Sequence, residues 1–279
     1  LDRPVKDCVI QNNCPYFMLF EQKSNLSGLS DSPRGYIFYS KQSAKQEIKL
    51  YTTLIGYCSQ LAPLVIQSLV RAQKRGLGQN ANPFKLSQIR EIVPRQGLRA
   101  DKPQVLNLCE SDPEPGKYLT NFLQGPFYFQ EWMDDPGFRD DLCCSFEIRT
   151  PLRLRKQGKY LQDIDFGFLL QSVLRRLEAL NCVFAKGETL GREKWQKLSK
   201  KLADMANNLD YKKELSWWDY KRYSNRQKKK VFMGGFVGNF TILNPTSEIV
   251  SWLRAAELIH IGKGAALGLG AISLDRLPY

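Results

Sequence analysis

The spacing of apolar and polar residues predicts strands and helices in both halves of the chain. In the first half, four segments carry such a pattern: strands at 35–40, 47–55 and 84–93, and a helix at 58–74. In the second half, the pattern marks strands at 142–150, 232–243 and 267–274, and helices at 163–181 and 248–260. The second half fits the order β-α-β-β-α-β of a ferredoxin-like unit, and the first half shows β-β-α-β.

We therefore predict an α+β fold of two tandem ferredoxin-like (RRM-like) domains. The first domain covers residues 1–94 and lacks an obvious first strand and helix, so we expect it to be incomplete at its N-terminus. Residues 95–141 are rich in Pro, Gly and acidic side chains and form a linker or insertion, and residues 142–279 form the second domain. The chain begins with Leu1 and shows no signal-peptide pattern, which favours a fragment or one part of a longer polypeptide.

The charge balance indicates which class of partner the protein binds. Lys and Arg number 41 against 28 Asp and Glu, which gives a net charge of +13 and a pI near 9.4. A surface that basic favours a polyanion, most simply nucleic acid. We expect no membrane partner, because no apolar stretch approaches about 18 residues and no basic amphipathic helix stands out.

Much of this charge falls between residues 186 and 230, where fourteen Lys and Arg stand against six Asp and Glu. Aromatic residues are interleaved with the charges: Trp195, Tyr211, Trp217, Trp218, Tyr220 and Tyr223. Cations bind phosphates and flat rings stack on bases, so the mixture suits single-stranded or looped RNA. The RNA-binding candidates in this stretch are Arg222, Tyr223, Arg226, Lys228, Lys229 and Lys230. The alternative is a solvated helix and loop with some of the rings in the core.

Cysteine and histidine usage argues against disulfides, metals and cofactors. The seven cysteines are odd in number and spread along the chain, which indicates a reducing cytoplasm rather than a disulfide framework. Cys8 and Cys14 have no second ligand pair for a zinc site. His260 is the single histidine, so no constellation of several histidines can form. We expect no bound metal and no cofactor.

A glycine-rich segment, HIGKGAALGLG at residues 260–270, lies between a predicted helix and the final predicted strand. Its glycines, Gly262, Gly264, Gly268 and Gly270, let the backbone come close to another chain or a ligand. Bare N–H groups with Lys263 beside them can hold phosphate. The segment is not a dinucleotide-binding or Walker loop, because its glycines follow a helix rather than open one.

The longer run LIHIGKGAALGLGAISL, residues 258–274, resembles the terminal glycine-rich motif of the CRISPR repeat-cleaving endoribonucleases, the Cas6 family of the RAMP superfamily. Shorter pieces agree with this resemblance and occur in the right order along nearly the whole chain: CPY at 14–16, LFE at 19–21, RGLG at 75–78, TPLRL at 150–154, LRRL at 174–177, RYSNRQ at 222–227 and GGFVG at 234–238. The resemblance implies two ferredoxin-like domains that face a shared basic cleft.

The resemblance also implies an activity. Such enzymes bind the CRISPR precursor transcript and cut within each repeat, which releases guide RNAs for the interference complex. The cut needs no metal: the 2′-hydroxyl attacks the adjacent phosphate and leaves a 2′,3′-cyclic phosphate and a 5′-hydroxyl. This chemistry requires a general base, an acid for the leaving oxygen, and cations near the developing phosphorane charge.

The resemblance does not identify the catalytic residues of this chain. Members of the family often carry a catalytic histidine early in the N-terminal domain, and this chain has none there. His260 could supply the base, flanked by Lys263. Alternatively, His260 caps the end of the 248–260 helix and is only structural. In the third case a histidine from a missing N-terminal segment, or a cluster of Tyr, Lys and Arg, does the chemistry and His260 contacts RNA.

The leading function is therefore a metal-independent endoribonuclease that processes CRISPR repeat RNA. The alternatives are a catalytically silent RAMP-type subunit, or a domain of a fusion protein, that holds guide RNA without cutting it. A generic RNA-binding module without a role in defence is disfavoured by the terminal motif. The expected partners are CRISPR repeat RNA or crRNA, together with subunits of the interference complex or a fused domain.

Overall fold

The computed structural model describes residues 14–21, 32–44, 47–78, 80–90, 105–107, 143–185, 187–224 and 228–274. These residues belong to two compact units, one drawn from 1–56 and 137–279 and the other from 57–136. Within the described ranges, no helix is long and apolar enough to cross a membrane. The domain boundaries at 94 and 141 stay a prediction.

In the first unit, a π-helical turn (Phe17–Glu21) is followed by a two-stranded antiparallel hairpin. Strand β1 (Tyr36–Ala44) pairs with β2 (Glu47–Leu54), which confirms both strands predicted there. Tyr39 and Tyr51 are directly opposite each other in this register, and their rings stack with centroids 5.7 Å apart. The stacked pair stabilises this register of the hairpin, because cross-strand aromatic pairs are favourable.

The second unit contains the predicted helix, divided into a 3₁₀ turn (Gly56–Leu61) and helix α1 (Ala62–Gln73). Pro63 lies in the first turn of α1, where its missing N–H costs nothing. Gly76 ends the helix as predicted: its φ is +75° and its N–H donates to the Ala72 carbonyl. Of the strand predicted at 84–93, Gln88–Arg90 form β3, paired with β4 (Val105–Asn107), and residues 91–93 lie outside the described residues.

The second half of the chain forms the rest of the first unit. Its elements are β5 (Cys143–Leu152), β6 (Arg155–Lys156), β7 (Lys159–Tyr160), α2 (Phe166–Phe184), α3 (Gly191–Asn207), β8 (Tyr211–Trp218), β9 (Lys221–Ser224), β10 (Lys229–Phe232), β11 (Gly235–Leu243), α4 (Ser247–Ile259) and β12 (Ile272–Leu274). Four of the strands make one antiparallel sheet in the order β12-β5-β11-β8. With α2 after β5 and α4 after β11, this strand order of 4-1-3-2 agrees with the ferredoxin-like fold that the sequence predicts, although β8 was not among the strands predicted.

Three phenylalanines form the centre of the core between sheet and helices. Phe146 on β5 and Phe240 on β11 are opposite each other and stack with centroids 4.9 Å apart. Phe166, the first residue of α2, packs within 6.2 Å of both rings, and all three are fully buried. The apolar alternation of β5 and β11 and the stripe of α2 therefore meet in one layer, as their periodicity predicts.

Side-chain caps explain where the two sheet-packed helices begin. The Asp165 carboxylate accepts from the Phe168 N–H at 2.8 Å, and the Thr246 hydroxyl accepts from the Ile249 N–H at 3.3 Å. Such caps satisfy backbone donors that the first helical turn leaves unpaired. The start predicted near 248 is confirmed, and the helix predicted at 163–181 shifts to 166–184 because Asp165 caps it.

Helix α3 is an addition to the ferredoxin-like order and was not predicted as an element. It packs against α2 through Ser199, Leu202 and Ala206, the buried residues on its otherwise polar surface. Several of its cations are exposed, and Lys201 pairs with Glu248 at 2.7 Å. Part of the positive charge at 186–230 therefore does lie on a solvated helix.

The last predicted strand was too long. Strand β12 begins only at Ile272, whereas Ala265–Leu267 forms a 3₁₀ turn. Gly268 and Gly270 follow that turn with φ of +81° and +64°, a region that extended strands do not use. The apolar alternation of this segment reflects burial in a folded loop, not a strand.

Candidate nucleic-acid interface

A second hairpin, β9–β10, presents aromatic and basic side chains to solvent. Its register places Tyr223 opposite Lys230, and Lys221 opposite Phe232. Opposite residues in an antiparallel pair share a face, so these four side chains lie together. Phe232 and Tyr223 are 62% and 50% exposed, and the Lys221 ammonium lies 4.9 Å from the centre of the Phe232 ring. The face offers a stackable ring next to a cation.

The predicted RNA-binding residues of this stretch divide between two faces of the hairpin. Tyr223 and Lys230 share the aromatic face, whereas Arg222 and Lys229 lie on the other. Arg222 is near Tyr36 of β1: burial raises the pKa of that phenol, and the charges of Arg34 and Arg222 act against the rise. Lys228, in the turn, is exposed with φ of +50°. Arg226 lies outside the described residues.

The other exposed rings continue this surface toward the sheet. Trp217 and Trp218 end β8, and Tyr220 precedes β9, so all three lead directly into the hairpin. Each is at least 40% exposed. The centre of the open sheet face is instead polar, with Ser145 bonded to Thr241 and Glu147 to Arg149. Stacking surface is thus concentrated at the hairpin end of the domain.

The glycine-rich loop folds back on the protein. Its four predicted glycines, Gly262, Gly264, Gly268 and Gly270, all have positive φ. Most of its N–H groups donate internally, namely those of Ile261, Lys263, Leu267, Gly268, Leu269, Gly270 and Ala271. The glycines permit close backbone packing, so fewer N–H groups face outward than the sequence suggested. That these glycines contact RNA stays a prediction.

Gly268 packs against the first hairpin. A Cβ there would lie 2.7 Å from the Phe38 carbonyl oxygen of β1, and the Gly268 carbonyl accepts from the Thr150 hydroxyl at 2.8 Å. Gly262 makes a similar approach, because its Cβ would lie 2.7 Å from the Arg153 carbonyl oxygen. The loop is therefore held from two sides by backbone.

Replacing Gly268 by alanine is expected to lower the free energy of unfolding by about 2–5 kcal/mol, the sum of a left-handed backbone and an overpacked contact. Gly158 is the matched control, since it has the same φ of +81° and nothing within 4 Å of its Cβ position. Gly158→Ala should cost about 1–2 kcal/mol. Denaturant unfolding measures both. Equal losses would show that the contact with β1 contributes nothing.

His260 lies at the end of α4 and is buried, with 6% of its surface exposed. Its N–H donates to the Ala256 carbonyl, so it does occupy the capping position. The ring contacts Tyr39 of β1 edge-on at 5.7 Å, and its Nδ1 has no hydrogen-bond partner among the described residues. Its φ of +51° and ψ of 161° are a conformation that few residues other than glycine adopt.

Burial lowers the pKa of His260 to about 4, and the nearby Arg176 charge adds to the effect. Arg176 on α2 is itself partly buried and donates from Nε to the Ile259 carbonyl at 2.7 Å. The ring is consequently neutral at physiological pH, so it adds no charge to the helix dipole. His260 therefore lies at the end of α4, as the structural alternative predicts. Its neutral ring does not gain the favourable interaction with the helix dipole that this alternative assumed.

Lys263 is exposed in the same loop, and its backbone anchors the loop to the end of β5. The Lys263 N–H donates to the Arg153 carbonyl at 3.1 Å. The Arg153 guanidinium in turn donates to the Phe232 carbonyl of β10 at 3.3 Å. Arg153 therefore joins the glycine-rich loop to the aromatic hairpin. The two groups of residues predicted separately from the sequence are thus linked through one arginine.

Sequence reasoning did not single out Arg153, Arg155 and Tyr160 as candidate site residues. Both guanidinium carbons lie close to the centre of the Tyr160 ring, at 4.5 Å for Arg153 and 4.2 Å for Arg155. The signal was present: two arginines in alternation, then the turn pair Gln157–Gly158, then a tyrosine at hairpin spacing.

The protein has a ferredoxin-like sheet with a basic, aromatic surface at one end. These features are typical of the class of α+β domains that bind nucleic acid. Residues 146–272 match the family model of CRISPR-associated endoribonuclease Cas6, and residues 2–110 match that of the AF_1859 N-terminal domain. This match over 146–272 confirms the resemblance to the Cas6 family noted in the sequence. Among curated proteins, no sequence matches.

Solved structures resemble this chain in fold. The product complex of Cas6 (TTHB231) has a TM-score of 0.52 at 15% identity, over 88% of this chain and 83% of that one. The structure titled Thermus thermophilus Cas6 (TTHB231) gives 0.47 at 15%, over 86% and 79%. The Cas6 (TTHA0078) product complex gives 0.42 at 17%, over 87% and 85%. The first of these supports the α+β fold with tandem ferredoxin-like domains.

Proposed function

We propose that this protein binds CRISPR precursor RNA and cleaves it within each repeat, which releases guide RNAs. The observation that carries the proposal is the link made by Arg153 between the glycine-rich loop and the aromatic hairpin, within the residues that match the Cas6 family. Cations beside exposed rings suit a strand with unpaired bases, because the phosphates and base faces of such a strand are both accessible.

The proposed reaction is attack of a 2′-hydroxyl on the adjacent phosphate without a metal ion. The RNA supplies the nucleophile, so the protein has to hold the ribose and phosphate in line and stabilise the added negative charge. Lys263 is the cation we assign to that charge, because it is exposed on the loop that joins the interface. The products are a 2′,3′-cyclic phosphate and a 5′-hydroxyl.

For His260 we favour a structural role over that of general base. Its burial keeps the ring from a bound strand, and the ring contacts instead link α4, α2 and β1 beneath the loop. A histidine with a pKa of about 4 is also a weak base at neutral pH. Orientation of the RNA and charge stabilisation by cations then supply most of the acceleration.

The test is a cleavage assay on a labelled repeat RNA in excess EDTA. We expect the protein to cut at one position per repeat, and end analysis to show a 2′,3′-cyclic phosphate. A requirement for added divalent metal, or a 3′-hydroxyl product, would contradict the proposed mechanism. Binding measured on the same RNA separates a loss of affinity from a loss of chemistry.

Two variants in the same assay separate the roles of the loop residues. Lys263→Ala should slow cleavage about 100-fold at unchanged affinity, as expected for one charge-stabilising donor. His260→Gln should cut at a normal rate at a temperature where it is folded. A loss of about 100-fold with His260→Gln, at unchanged affinity and unfolding temperature, would instead make His260 a catalytic residue.

A second function, a silent subunit that binds guide RNA without cutting, is favoured by one observation. The single histidine of the chain is buried and its pKa is depressed. Tight binding of repeat RNA by wild-type protein without any cleavage would support this function over the first.

A further inference from the structure

The β6–β7 hairpin places an arginine against a tyrosine by its own geometry. Gln157 and Gly158 form its two-residue turn with φ of +50° and +81°, the sign that a type I′ turn requires at both central positions. This turn sets Arg155 directly opposite Tyr160. The Arg155 guanidinium donates to the Tyr160 hydroxyl at 2.6 Å and also lies over the ring.

A second guanidinium, that of Arg153, contacts the same ring. Two like charges next to one tyrosine repel each other, and each ring contact offsets only about 0.5–1 kcal/mol at an exposed site. Among the residues that the structure describes, neither arginine forms an ion pair with a carboxylate. Such a pair of cations is stabilised when an anion binds.

Arg153 also has a hydrogen-bond donor that the protein does not use. Its Nε is buried and has no hydrogen-bond partner among the described residues, although another nitrogen of the same guanidinium donates to Phe232. A buried donor without a partner is costly, so the protein alone does not satisfy the Arg153 guanidinium, which leaves this group able to bind a ligand from solvent. The ligand would have to carry acceptor oxygens, because guanidinium groups only donate.

We propose that Arg153 and Arg155, held on the Tyr160 ring, bind phosphates of the RNA strand as it passes between the aromatic hairpin and the glycine-rich loop. The inference rests on the proposed function and names residues of that interface. Phosphate oxygens match the fork of donors on a guanidinium, and the shared ring orients both forks with little loss of side-chain freedom. Tyr160 is the positioning residue of the pair.

The test measures the affinity for repeat RNA as a function of salt concentration. Loss of one phosphate contact on a single strand lowers the slope of log K against log[salt] by roughly 0.7. Arg153→Gln and Arg155→Gln should each weaken binding about tenfold and lower the slope by about that amount. Tyr160→Leu should weaken binding in the same way, because it removes the ring that orients both arginines.

Arg149→Gln is the matched control, since Arg149 is an exposed arginine that pairs with Glu147 on the open sheet face. It should leave affinity and slope unchanged. Arg155 is exposed, so Arg155→Gln keeps the test valid even if Arg153→Gln fails to fold. Wild-type binding with unchanged slopes in both arginine variants would overturn the phosphate site alone. Absence of RNA binding by wild type would overturn the proposed function and this inference together.

Discussion

A repeat RNA with a single 2′-deoxy nucleotide at the cut position is expected to bind this protein with normal affinity and to remain uncut. The proposed reaction takes its nucleophile from the RNA, so removing that one hydroxyl removes the reaction, whatever the protein contributes. Each 1.4 kcal/mol of lost stabilisation is a factor of ten in rate, and loss of the nucleophile exceeds any single side-chain change. Denaturing gel analysis of the labelled RNA measures the result.

The control is the same RNA with the 2′-deoxy nucleotide moved one position away from the cut. That RNA should be cleaved at nearly the normal rate, because its reacting hydroxyl is intact. Cleavage at the modified position would show that water, rather than the ribose, attacks the phosphate, and would exclude the cyclic phosphate product. This outcome would contradict the proposed mechanism but would not contradict RNA binding at this surface.

The free energy of unfolding is expected to fall by about 3 kcal/mol between pH 6.5 and pH 4 through His260 alone. The pKa of the ring is about 4 in the folded protein and 6.5 as the reference value. The unfolded chain therefore binds a proton in this interval that the folded chain does not. Stability is complete above pH 6.5 and is lost as the pH falls toward 4, because the buried ring next to Arg176 resists protonation.

The single histidine makes this effect separable from carboxylate titration. His260→Gln should lower stability by a constant amount and flatten the pH dependence between 6.5 and 4. The histidine NMR signal of the folded protein, which can come only from His260, should titrate near pH 4. A signal that titrates near 6.5 would show an accessible ring and would restore His260 as a candidate base.

Local chemistry made much of the second domain predictable. Asp165 and Thr246 are capping residues placed just before apolar stripes, so the starts of α2 and α4 could be predicted closely from the sequence. The alternation in β5 and β11 and the stripe of α2 needed only the pairing of Phe146 with Phe240 to complete a core. Helix α3 escaped prediction because its apolar face is narrow and most of its side chains are charged.

The candidate site was predictable in composition but not in arrangement. The glycine-rich loop and the basic, aromatic stretch are both apparent from residue types, and so is the polyanion they favour. The sequence could not show that His260 would be buried, because exposure depends on Tyr39 and Arg176, which lie far away along the chain. It also could not show that most N–H groups of the loop would be used within the protein.

By itself, the sequence determined the fold class, the ferredoxin-like order of the second domain, the resemblance to the Cas6 family and the charge that favours RNA, since these depend on local periodicity, caps and composition. Only the tertiary structure decided which of those residues meet. Arg153 joins the loop to the hairpin through contacts with residues 79 and 110 positions away along the chain, at Phe232 and Lys263. Contacts at that separation arise from packing of the whole domain and have no signature in any local stretch of sequence.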